Sequence, residues 1–247
     1  MKLALISDLH ANRPAVEAVL ADAQLQRVDR HVFLGDFVGY GADPGWVIDT
    51  VRTHVRAGAL AVLGNHDEAV IQPHALGMRA QAMQAITWTR ARLDAGQLEF
   101  LRQLPLQQTD EDRLYVHANA FEPAGWHYVQ SRADAVRSLH ATRCRYTFCG
   151  HMHEPKLFHL SAIGKAGDFV PEPGVAIPLP AHRQWLVIPG SAGQPRDGNP
   201  AACYATFDTH HRTLTYRRVP YDHDAAAASI LKAGLPPDFA ERLALGH

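Results

Sequence analysis

Positions 31 to 44 read His-Val-Phe-Leu-Gly-Asp-Phe-Val-Gly-Tyr-Gly-Ala-Asp-Pro. Val32, Phe33 and Leu34 form a short apolar run of β-branched and aromatic character, Gly35 breaks it, and Asp36 falls where a buried strand hands over to a loop. A carboxylate at the rim of an apolar sheet needs a partner charge or a metal ion. Four other stretches end alike, each placing Asp, Asn or His just past an apolar run: Ser7-Asp8-Leu9-His10, Gly64-Asn65-His66-Asp67, Val116-His117 and Gly150-His151-Met152-His153. The most economical content for a point where such groups converge is a pair of divalent cations with Asp36 between them.

Outward from that stretch, Lys2 to Ser7 reads as a buried strand. Asn12 can cap a helix with Pro14 in its first turn and Val16, Val19, Leu20 and Ala23 on its apolar face. Asp43-Pro44 starts a second helix, with Val47, Ile48, Val51 and Val55 to one side, and Ala59 to Leu63 is a third apolar run. Strands alternating with helices argue for a largely parallel sheet, with ligands at the strand carboxyl ends. Met78 to Leu104 is helical by period and composition, with a break near Gly96. Arg113 to His117 and Tyr146 to Cys149 are further strands, with a short helix at Ser131 to His140 between them. Lys156 to Leu160 and Trp185 to Ile188 read as strands of a second sheet, followed by a hairpin from Cys203 to Phe207 and Thr213 to Arg218. Ser161 to His182, rich in Gly and Pro and without periodicity, is expected to be an irregular insert: a lid, an interface loop for an oligomer, or a mobile segment. The Ala-rich tail from Asp222 is helical, interrupted at Pro236-Pro237.

The 247 residues and 47% hydrophobic content fit one α/β domain, 1–247, with the insert at 161–182. With 24 basic against 25 acidic residues, there is no charge footprint for nucleic acid or an anionic membrane, so an anionic substrate must be attracted locally. No signal-peptide core or membrane-spanning run is present, and the expectation is a cytoplasmic chain. Cys144, Cys149 and Cys203 show no paired spacing and read as reduced core thiols. Sixteen His are many; His31, His54, His74, His140, His159, His210, His211, His223 and His247 have no matching context and read as surface or packing residues.

Asp-x-His at 8 and 10 puts two ligands on the same side of an extended segment, because side chains alternate there. Gly-Asn-His-Asp at 64 to 67 is more specific, and Gly-His-Met-His at 150 to 153 adds a second imidazole pair. Five strand ends with ligand chemistry in one chain resemble the signature blocks of the calcineurin-like metallophosphoesterases, in order, residue type and separation. The segment from Gly35 to Pro44, with Pro189 to Pro200, is similar to a bacterial and archaeal branch described as phosphodiesterase-like, protein-phosphatase-like or dinucleoside-polyphosphate-hydrolase-like.

The resemblance implies a four-layer α/β/β/α sandwich of two mixed sheets. It implies one metal held by Asp8, His10, Asp36 and His153, and a second held by Asp36, Asn65, His117 and His151. Mixed carboxylate, imidazole and amide donors suit Mn first, with Fe, Zn, Co or Ni as alternatives. Two such ions roughly 3.5–4 Å apart clamp phosphoryl oxygens and make hydroxide available in line with a scissile P–O bond. His66 is the implied group that protonates the leaving oxygen or stabilises transition-state charge. The expected activity is hydrolysis of a phosphate mono- or diester or a nucleotide anhydride. A non-catalytic partner-binding scaffold and a nuclease are the alternatives, and the charge balance disfavours nucleic acid.

Two departures stand out. Gly39 occupies the position where relatives carry the carboxylate that orients the catalytic His, with Asp67 or Asp43 as substitutes. Ala118-Asn119-Ala120 follows His117 where Gly-Ser-Pro is more usual. Asn12, Arg13 and Arg196 are the candidate contacts to a small phosphorylated substrate.

Overall fold

Leu3 and Leu5 face one way along the first strand, β1 (Lys2–Ile6), while Ala4 and Ile6 face the other; all four are buried, so this strand has protein on both sides. The computed structural model describes residues 1–72 and 80–247; His74 and the Met78 start of the long helical stretch lie outside the described residues. After β1 come α1 (Arg13–Leu25), β2 (Arg30–Phe33), α2 (Pro44–Arg56), β3 (Leu60–Ala61), α3 (Asn65–Ile71), α4 (Ala80–Arg90) and α5 (Ala95–Arg102). Next are β4 (Gln107–Asp110), β5 (Arg113–Val116), α6 (Arg132–His140), β6 (Tyr146–Phe148), β7 (Pro155–Ser161), β8 (Ala166–Phe169), β9 (Ala176–Pro178) and β10 (Arg183–Pro189). The chain closes with β11 (Ala202–Asp208), β12 (Thr213–Val219), α7 (His223–Lys232) and α8 (Pro237–Leu245).

Two six-stranded mixed sheets result, ordered β3-β2-β1-β11-β12-β9 and β4-β5-β6-β10-β7-β8. Leu3, Leu5, Val32, Phe207, Leu214 and Tyr216 from the first meet Tyr115, Tyr146, Phe148, Trp185 and Val187 from the second, forming the core between the sheets. On the outer face of the first sheet, Ala4, Ile6, Phe33 and Tyr204 pack against apolar faces of α1, α2, α3 and α5. On the outer face of the second, Val116, Phe158, Leu186 and Ile188 pack against Ala135 and Leu139 of α6. This is the four-layer α/β/β/α sandwich that the motif pattern implied.

Local signals start the helices as expected. The Asn12 side chain accepts from the Ala15 N–H at 3.3 Å, and Ser131 and Asp134 form a reciprocal capping box on α6. The long helical stretch breaks at residues 91–94 instead of Gly96, because Asp94 caps a new helix that carries Gly96 inside it.

Three features go beyond the sequence reading or change it. The hairpin of β11 and β12 belongs to the first sheet, β11 pairing antiparallel with β1. Its alternation is compatible with either sheet, and only long-range pairing decides. The insert at 161–182 is also more regular than its composition: β8 closes the edge of the second sheet on β7, and β9 closes the first on β12. Short edge strands with Gly and Pro at their ends carry little period-two signal. Finally, α3 and β4 were not read from the sequence, and α3 begins on the candidate ligand Asn65.

Candidate metal centre

The loops after β1 and β2 run on side by side beyond the strands. Asp8 N–H donates to Gly35 O at 3.1 Å, His10 N–H to Asp36 O at 3.0 Å, and Ala11 N–H to Phe37 O at 2.8 Å. On the other flank, Ala192 N–H donates to Ser7 O and Gly193 N–H to Asp8 O, both at 2.9 Å, so the Gly-rich loop after β10 straps the first ligand pair. This segment is not extended. Asp8, His10, Asp36, His151 and His153 all have φ between 47° and 68°, in the left-handed region, so turns and not strand alternation aim these side chains.

The result is two overlapping groups whose donor atoms lie within 4.8 Å of one another: Asp8, His10, Asp36 and His153, and Asp36, His117 and His151. Asp36 belongs to both. Its Oδ1 accepts from the His66 backbone N–H at 2.8 Å, while Oδ2 lies 3.8 Å from His10 Nε2 and 3.4 Å from His117 Nε2. Asp8 accepts from the His151 N–H at 3.1 Å and has Oδ1 3.3 Å from His153 Nε2. Asn65 Oδ1 stands 3.1 Å from His117 Nε2, at the edge of the second group.

The ring nitrogens test whether cations fit. Each imidazole donates one N–H to a backbone carbonyl: His10 Nδ1 to Val38 at 3.0 Å, His117 Nδ1 to Leu34 at 2.7 Å, His153 Nδ1 to Gln194 at 2.7 Å, and His151 Nε2 to Trp126 at 2.9 Å. That fixes the other nitrogen of each neutral ring as a lone pair. The lone pairs then face each other, His10 Nε2 to His153 Nε2 at 3.0 Å and His117 Nε2 to His151 Nδ1 at 3.2 Å. Two lone pairs repel, so each pair needs a positive charge between them.

The six His and Asp donors are at most 6% exposed, so water cannot supply that charge cheaply; an unpaired buried ion costs several kcal/mol. Burial pushes His10 and His153 down and His151 to about 3, so these rings are neutral near pH 7. For His117, burial is outweighed by the adjoining Asp36 carboxylate, which pushes it up to about 9. A proton there partly stands in for a cation. Burial would raise Asp8 and Asp36, but His153 beside the first and His117 beside the second outweigh it and hold both carboxyls low. The donor set of imidazoles and carboxylates fits divalent transition metals.

Gly64 is required by this geometry. A Cβ there would stand 2.2 Å from both Asp36 N and Asp36 Oδ1. Gly64→Ala is expected to displace Asp36 and to lower chelated-state stability by about 1–3 kcal/mol, as overpacking does. An unchanged melting temperature in chelator would contradict this.

His66 is buried beside the cluster, its ring centroid 5.0 Å from that of His10 and 4.5 Å from that of Tyr40. Burial pushes it down to about 4 against the opposing pull of Asp36. Asp67 does not orient it: the carboxylate accepts from the backbone N–H groups of Phe37, Val38 and Gly64, and burial, with Asp36 nearby, pushes it up to about 8. Asp43 sits at the N-cap of α2.

The proposed substrate contacts separate. Arg196 is half-buried beside the cluster, its guanidinium 5.9 Å from the Tyr40 ring and donating to Gln194 Oε1. Asn12 uses both amide hydrogens, on Gly193 O and Tyr221 Oη, and so is engaged in the fold. Arg13 pairs with Glu17 at 2.8 Å and lies over Trp46.

The sequence reading missed an aromatic wall. Tyr128 stacks on His151 at 4.1 Å, and Trp126, whose carbonyl holds that ring, donates through Nε1 to Glu68 at 2.8 Å. Asn119 closes this loop, donating to His127 O and accepting from Glu122 N–H. The aromatic spacing of Phe121, Trp126 and Tyr128 after His117 was the available signal.

Known proteins carry the same framework. An uncharacterized protein of Methanocaldococcus jannaschii, MJ0912, is 34% identical over 99% of this chain and 98% of its own. The crystal structure of a metallophosphoesterase from Sphaerobacter thermophilus superposes with a TM-score of 0.89 at 35% identity, covering 100% of this chain and 99% of that one. The fold is shared by the hypothetical protein PH1004 of Pyrococcus horikoshii OT3, with a TM-score of 0.79 at 19% identity over 100% and 98% of the two chains. The profile of the calcineurin-like phosphoesterase superfamily domain matches residues 1–212. With its six His and Asp donors gathered at the strand ends of this sandwich, the chain belongs to the calcineurin-like phosphoesterase superfamily.

Proposed function

We propose that the chain hydrolyses a small phosphate mono- or diester or a nucleotide anhydride, without a covalent enzyme intermediate, using two divalent cations that share Asp36. The observation that carries this reading is the two close pairs of inward-facing imidazole nitrogens on either side of the Asp36 carboxylate. Asp8, His10, Asp36 and His153 hold one ion; Asp36, Asn65, His117 and His151 hold the other. When bound, such a pair clamps phosphoryl oxygens and acidifies a water for attack in line with the leaving group.

The side chains supply the rest. His66 is neutral near pH 7, which suits an N–H donor to charge developing on the leaving oxygen better than a full proton donor. Among the described residues its Nδ1 is buried without a partner, which leaves Nε2 for the substrate. Arg196 offers a rigid guanidinium to the phosphate from the loop that straps Asp8. Tyr128 and Trp126 form a wall that suits a small ester. Manganese is the first choice of metal, with Fe, Zn, Co or Ni as alternatives. No helix among the described residues is long and apolar enough to cross a membrane, and the free cysteines fit a reducing compartment; we place the chain in the cytoplasm.

The test is a panel of monoesters, bis-p-nitrophenyl phosphate, cyclic nucleotides and dinucleoside polyphosphates, assayed after chelation and after return of each metal. Turnover should vanish in chelator and return with manganese. At a free metal concentration ~100 times the dissociation constant, the folded state should gain ~2.7 kcal/mol. No turnover with any metal and an unmoved melting temperature would overturn the proposal.

A further inference from the structure

The carboxylate that would orient His66 is missing at position 39, and the structure leaves no room for one. A Cβ on Gly39 would lie 2.4 Å from His66 Nδ1, so the imidazole itself fills that space, and φ at this residue is +88°. Among the described residues Nδ1 is buried with no hydrogen-bond partner, and Asp67 is held by three backbone amides. No hydrogen bond from a described side chain fixes this ring, and packing takes over that task.

The packing comes from Tyr40. Its ring lies 4.5 Å from that of His66 at 58°, and 4.6 Å from that of His10 at 53°. Phe239 of α8 packs on Tyr40 at 4.9 Å and 61°. Phe239 is itself fixed in a cluster with Ala226 and Ile230 of α7 and Leu243 of α8. Tyr40 adopts φ 63°, a backbone conformation that a bulky residue rarely takes unless its surroundings impose it. Both C-terminal helices lie beyond residues 1–212, the part matched by the superfamily profile.

We infer that Tyr40 is the positioning residue for His66, braced by Phe239, so that α7 and α8 are working parts of the site. The inference rests on the role given to His66 above. A flat ring pressed between His66 and Phe239 limits rotation of the imidazole where relatives use a carboxylate.

Full-length manganese-loaded protein turning over bis-p-nitrophenyl phosphate provides the test. Tyr40→Phe keeps the ring and should keep kcat. Tyr40→Gly, which suits the positive φ, should lower kcat by about 10²-fold with KM and metal content unchanged, the scale of a misplaced catalytic group. Phe239→Leu, which preserves most of the apolar volume and guards against misfolding, should give a smaller loss of the same kind. In a His66→Gln background, Tyr40→Gly should add little, because both act on one group. Losses that multiply in the double variant, or a raised KM with kcat intact, would overturn this inference alone. A His66→Gln chain as active as the natural one would instead overturn the role of His66.

Discussion

Asp36→Asn is expected to leave a folded chain that binds neither cation and turns over no ester. Asn retains the Oδ1 acceptor for the His66 backbone N–H, a bond of 2.8 Å, and its amide can donate towards the imidazole nitrogens that Oδ2 faces. The fold is therefore preserved while the shared anionic donor is lost. Altering a residue that only supports a metal ligand costs 10–100-fold in affinity, so removing a direct donor to both ions should cost at least about 10²-fold at each. Elemental analysis after gel filtration reads the result. Normal occupancy, or loss of one ion only, would contradict the sharing of Asp36.

His66→Gln should behave in the opposite way, keeping both ions and lowering kcat by ~10²–10⁴. The separation is physical. His66 fixes Asp36 through its main-chain N–H, which survives any substitution except proline, whereas its ring makes no hydrogen bond to a ligand side chain. Metal content is then independent of the imidazole. Retained turnover would remove this residue from the chemistry, and lost metal would show that the ring supports the cluster.

Much of this arrangement was legible because ligand residues sit at strand ends, where an apolar run announces the strand and a charged or imidazole side chain announces the exit. Asp36 after Val32, Phe33 and Leu34 is the clearest case. The fold brings Asp8, His10, Asp36 and His153 together, and Asp36 with His117 and His151, but not by the strand alternation expected for Asp8 and His10. Asp8 and His10 converge through left-handed turns, which spacing cannot reveal. The hairpin of β11 and β12 was recognised but its sheet was not, since β1 is about 200 residues away in sequence and pairing partners leave no local trace. The two short strands within 161–182 were hidden by Gly and Pro, and the bracing of Tyr40 by Phe239 depends on how a terminal helix docks. Arg13 is a further case: its position next to the ligands in the chain says nothing about direction, and its guanidinium pairs with Glu17 along α1.

Five of the residues that converge on the centre hold left-handed backbone angles, each an unfavourable conformation by about 1–3 kcal/mol for a residue other than glycine. Summed, that tension is comparable to the whole margin by which an ordinary domain stays folded. The packed sandwich beneath must therefore be more robust than a bare function would need, acting as an anvil against which the apex is kept bent. Heat tolerance and metal affinity are thereby set against each other in the same few peptide units: relaxing any one of them with glycine would ease the chain and delete a donor in a single step.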